Sequence, residues 1–154
     1  MNSVNVSAEI LRELGYIADN TNYLEKVLAY IRSLTKKAST QRGIAYVSLL
    51  EQLSDFQEYE AGWDGAEARP LNQKVVKNFK AVLGKASEEI LQGWHLEPQT
   101  NGTLLLLNDS SHAGINLGSN DFSFFSVSNG DVDGKNHVRF SANNVIDTIK
   151  QLSL

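Results

Sequence analysis

The chain has 154 residues, 42% of them hydrophobic and 21% charged, and a net charge of -4. That suits one domain, or a small domain with an appendage, and supplies enough apolar material for a core. The lack of cysteine excludes disulfides, thiolate catalysis and sulfur-ligated zinc. No apolar run is long enough to span a bilayer, and the chain does not open on a basic-then-apolar signal. The expectation is a cytoplasmic protein with no membrane association.

The first segment reads as two short helices. Ser7 is placed as an N-cap ahead of Ile10, Leu11, Leu14 and Ile17 at helical spacing. After the interruption at 19–22, Asn22 and Glu25 make a capping-box pair. Behind it Leu24, Val27, Leu28, Ile31 and Leu34 form an apolar stripe, and Arg32, Lys36 and Lys37 complement the dipole at its end. Helices this short are not stable alone, so the hairpin over residues 1–38 must bury its stripe. The rest of the chain, a protein partner or a second copy would serve, which makes this an interaction or dimerisation segment. Residues 36–43 read as a polar linker ending in glycine.

Charge is uneven across that linker. Residues 1–43 hold six basic and four acidic residues; the remainder holds eight basic against fourteen acidic. Phosphate binding needs clustered positive charge, so nucleic-acid binding is disfavoured except through residues 1–43.

A second unit spans residues 44–154. Tyr46, Leu49, Leu50, Leu53 and Phe56 mark a helix that runs into Glu60-Ala61-Gly62-Trp63-Asp64-Gly65-Ala66. Asn72 then caps a further helix, with Leu71 and Val76 as a hydrophobic staple and Val75, Phe79, Val82, Leu83, Ala86 and Ile90 on its buried face. From Trp94 the period falls to 2. Asn101-Gly102 signals a hairpin; strands follow at 103–107, around Ile115 and Leu117, from Phe122 to Val127, and at Val138 and Phe140. Asp131 and Asp133 fall in the loop between the last two. Ser141 or Asn143 caps a final helix through Val145, Ile146, Ile149 and Leu152. The order implies an α+β fold: a helical hairpin, two further helices, an antiparallel sheet of four or five strands, and a C-terminal helix.

Trp63, Asp64 and Gly65 are the motif residues to explain. One reading makes Trp63 a stacking platform and Asp64, with Glu60 or Glu67, an acid/base pair for a carbohydrate-active or other hydrolytic domain. The other makes Trp63 a plug in a bend where Asp64 accepts backbone N–H groups, and this is favoured because aromatic-Asp-Gly is common turn chemistry. Residues 129–134 (NGDVDG) place oxygen ligands as a calcium loop does, but Phe140 stands where a bidentate glutamate belongs, and a hairpin is the better account. His95, His112 and His137 are too dispersed to specify a metal site. There is no Gly-x-Ser-x-Gly elbow and no phosphate-cradling loop, so no catalytic residue, metal or cofactor is implied. The unbroken run Leu104-Leu105-Leu106-Leu107 implies a strand covered on both faces.

Two stretches carry resemblances. The run from Glu60 to Ala66, followed by a proline, a helix and glycine-centred strands, resembles a family of uncharacterised small bacterial proteins with a Trp-Asp-Gly motif between helices and an antiparallel sheet. The likeness spans roughly residues 45–130. Ala66 departs from it, since that family often has an aromatic after Asp-Gly. Residues 10–19 (ILRELGYIAD) and 24–32 (LEKVLAYIR) are similar to the N-terminal helical segment of small bacterial antitoxin-type proteins. That resemblance implies a toxin-binding or other interaction role and supplies no catalytic residues. The expectation is a non-enzymatic protein–protein interaction protein. Hydrolysis at Asp64 is the alternative, and DNA binding through residues 1–43 is a second alternative.

Overall fold

The structure is a computed structural model describing Glu9, Arg12, Glu13, Gly15 and residues 21–41 and 43–154. The chain forms two compact units, Met1–Thr40 and Gln41–Leu154.

In the first unit Glu9, Arg12, Glu13 and Gly15 are helical; Ile10, Leu11, Leu14 and Ile17, the apolar positions expected of a first helix, lie outside the described residues. Helix α1 covers Thr21–Gln41. It therefore takes Asn22 inside its first turn and continues through most of the expected linker. The physical reason is propensity: Lys36, Lys37, Ala38 and Gln41 are all good helix formers, and no glycine intervenes before Gly43.

The second unit begins with α2 (Ile44–Gln57) and α3 (Gln73–Lys85). In α3 the Asn72 side chain accepts from Lys74 N–H at 2.8 Å, and Val75, Val76, Phe79, Val82 and Leu83 are buried. The helix does not reach Ile90. Ala86 turns extended at ψ 140°, and a short α4 (Glu88–Leu91) restarts beyond Ser87.

Strands β1 (Trp94–Pro98), β2 (Leu104–Asn108), β3 (Ala113–Leu117), β4 (Asp121–Ser128) and β5 (Asp131–Arg139) follow, then α5 (Ala142–Leu152). They form one antiparallel meander in the order β1-β2-β3-β4-β5. The fold is α+β. Asn129 and Gly130, with φ of 52° and 86°, make the two-residue β4–β5 turn. Asp131 and Asp133 thus belong to a strand, not to a loop. Period-2 alternation hides there because β5 is exposed along nearly all its length.

Alternation sets the two faces of the sheet. Trp94, Leu96, Leu104, Leu106, Ile115, Leu117 and Phe122 join buried residues of α2, α3 and α5 in one core. Leu105 and Leu107 point the other way and are only half-buried. Within the second unit the leucine run is thus covered by helices on one face.

Three side chains from distant parts of the sequence fasten this layer of helices. Gln52 Oε1 accepts from Leu96 N–H at 2.7 Å, closing an edge amide of β1. Asn78, buried in α3, donates to the carbonyls of Gly118 and Ser119 and so pins the β3–β4 turn. Glu88 accepts from the amides of Ala45 and Tyr46 at 2.6 and 3.1 Å, capping α2 from outside.

Candidate functional site

On α1 the apolar stripe divides. Leu24 and Val27 are half-buried, whereas Leu28 and Ile31 are 46% and 47% exposed. Leu34 lies in the same helix, but its side chain is outside the described residues. Tyr23 and Tyr30 are also exposed on α1. The spacing that suggested a stripe reflects real helix geometry, since residues three and four apart share a face.

At the Trp-Asp-Gly bend, Gly62 and Gly65 adopt φ of 85° and 91°, which L side chains rarely adopt. Gly62 N–H donates to the Ala68 carbonyl and Ala68 N–H to the Gly65 carbonyl, closing the bend on itself. The half-buried Trp63 donates its indole N–H to the Arg69 carbonyl at 2.9 Å and packs on Tyr59, ring centroids 5.0 Å apart. Arg69 N–H then donates to the Thr100 carbonyl, tying the bend to the β1–β2 hairpin. Asp64, Glu60 and Glu67 are exposed, and the Asp64 carboxylate accepts no hydrogen bond among the described residues. The expected Asx-turn is therefore not formed. The bend is held by backbone and by Trp63 instead.

Trp63→Phe keeps the ring contact and deletes the indole donor. It is expected to cost about 0.5–1.5 kcal/mol, the net worth of one hydrogen bond, in urea unfolding. Asp64→Asn, which touches no bond in the bend, should leave stability within about 0.5 kcal/mol. A larger loss for Asp64→Asn than for Trp63→Phe would contradict this account of the bend.

One cluster had no signal in the sequence. The β4–β5 register shifts between Phe122 and Phe124, forming a bulge. There His137 takes φ 56° and sets its Nδ1 2.7 Å from Asp121 Oδ2, while its backbone N–H donates to Ser123 Oγ at 3.2 Å. Serine, histidine and aspartate meet, but Ser123 is bonded to backbone rather than to the imidazole, whose side chain is 85% exposed. Acyl transfer needs the base on the nucleophile and an enclosed oxyanion site. Only the bulge brings these residues together, and neither bulges nor left-handed histidines follow from spacing. His95 pairs loosely with Glu97 at 4.0 Å on β1, and His112, with φ 48°, belongs to the β2–β3 turn. The three histidines occupy three different elements. Among the described residues no group of three or more His, Asp or Glu is placed to hold a metal ion.

A groove of about 480 Å³ lies away from the bend, lined by Asn108, Ser110, Ser111, Ser126 and the chain from Gln151 to Leu154. Its side chains are neutral, and none is among the candidate site residues of the sequence. Among the described residues no helix is long and apolar enough to cross a membrane. Comparison with known proteins returns nothing: no family model, no curated protein and no solved structure matches the chain.

Proposed function

We propose that this chain is a non-enzymatic, cytoplasmic protein–protein interaction protein whose binding element is the apolar stripe of α1. The observation that carries this reading is the exposure of Leu28 and Ile31 on a helix of 21 residues. A helix of that kind docks by laying successive i, i+3 and i+4 anchors into a groove on its partner. The antitoxin-like run of residues makes a toxin-type protein the first partner to test. The hydrolytic alternative finds little support at the bend, where the Trp63 indole is committed to Arg69 and the nearby acids are exposed.

Leu28→Glu puts a charge at the centre of the stripe, at an exposed position outside the buried cluster. Capture of a partner from host lysate, identified and then titrated against purified chain, is expected to lose at least about tenfold in affinity. Unchanged affinity in Leu28→Glu would remove the stripe from the binding surface.

A further inference from the structure

The second unit covers its sheet with helices on one face only. On the other face the registered rows are His95-Leu107-Gly114-Phe125-Gly134 and Glu97-Leu105-Asn116-Ser123, with Val127 and Val132 paired beyond them. Phe125 lies over Gly114, where a β-carbon would meet its ring, so the aromatic fills the gap between strands and extends the apolar surface of Leu105 and Leu107. Val132 is 71% exposed. A contiguous apolar surface of this kind on a sheet marks a contact face.

We propose that this face is an isologous interface, on which two copies of the chain stack sheet on sheet about a two-fold axis running along β3. The residues suit a second copy because the surface complements itself under that rotation. The axis lays β1 of one copy over β5 of the other and β2 over β4. Leu107 of each copy then meets Phe125 of the other. Glu97, 52% exposed on β1, comes over the β5 bulge with its His137, one row from Arg139. Arg139 pairs with Asp121 across the strands and points to this face, since its neighbour Val138 packs on the core. The opposite-charge contact between Glu97 and Arg139 therefore occurs twice.

Asn116 supplies an independent observation. It stands on β3, on the axis, and its Oδ1 is closed off from water without a hydrogen-bond partner. Such an acceptor costs stability until a donor is found. On the proposed axis the carboxamides of the two Asn116 residues face each other, so the amide of one copy is placed as a donor to the other. Association through the β5 edge is disfavoured, because Asp131, Asp133, Lys135 and the bulge guard that edge. Aligned sheets stack about 10 Å apart, and a face of five short strands is at the small end of specific interfaces.

The test is sedimentation equilibrium of the full chain between about 10 and 500 µM, the range in which an interface of this size associates. The expected result is a monomer–dimer equilibrium. Glu97→Arg and Arg139→Glu should each weaken it by about fivefold or more, and the double variant should restore it, since the charges exchange places across the axis. Circular dichroism on each variant establishes that the fold is kept. A monomer at every concentration overturns the proposal, as does a dimer that neither single variant weakens. A dimer lost in Leu28→Glu and untouched by the charge variants would also overturn it and assign self-association to α1, leaving the proposed function standing.

Discussion

Replacing Phe79 by alanine is expected to cost about 3–5 kcal/mol of folding stability, the loss typical of a buried aromatic that leaves a cavity. Phe79 is fully buried on α3, in the cluster that joins α2, α3, α5 and the covered face of the sheet. The cluster draws on several elements at once, which limits its freedom to collapse into the space. A domain of this size has about 5–15 kcal/mol in total, so one substitution removes a large share. At about 1–3 kcal/mol per molar urea, the midpoint should fall by roughly 1–5 M. Lys80→Ala, on the exposed side of the same helix, is the control and should change stability by less than about 0.5 kcal/mol. A loss below about 1 kcal/mol for Phe79→Ala would mean that the helix layer does not pack on the sheet as described.

The place of Phe79 on the buried face of its helix was legible in the sequence, and so was the helix around it. Asn72 and the 3.6-residue spacing of Val75, Phe79, Val82 and Leu83 are local signals, and local signals survive folding when tertiary contacts agree with them. The extension of that stripe to Ile90 fails for a reason no periodicity carries. Ala86 leaves the helix so that Glu88 can turn toward α2, a contact with a residue 43 positions away. The β5 strand fails in the other direction. Its acids and its single glycine look like loop, yet it is held by backbone pairing to β4, and Gly134 is required where a β-carbon would strike the Phe124 carbonyl. The leucine run implied cover on both faces, and the helices of the second unit supply it on one. Of the candidate sites, the α1 stripe and the tryptophan were readable as shapes. The cluster of Asp121, Ser123 and His137 was not, because a bulge changes which side chains share a face.

Glu88 carries the second large expectation. Helix α2 begins at Gly43, which has no side chain to offer its free amides, and the Glu88 carboxylate takes those of Ala45 and Tyr46 instead. An anion at a helix N-terminus gains from the unpaired N–H groups and from the helix dipole together. Glu88→Ala is expected to cost about 1.5–3 kcal/mol, the range for hydrogen bonds to a charged group, and Glu88→Gln about half of that. Gly43 is part of the same device, since a β-carbon there would occupy the space of the Glu88 carboxylate. Gly43→Ala should therefore displace the cap and destabilise the protein, although Gly→Ala by itself reduces unfolded-state entropy. The double-mutant cycle separates these effects. With Glu88 already replaced by alanine, Gly43→Ala has no carboxylate to displace, and its cost should disappear. The coupling energy is expected to be about 1–2 kcal/mol in urea unfolding. Additive losses would show that Glu88 and Gly43 act independently, and that α2 is held by packing of Leu49 and Leu53 rather than by a cap brought from α4.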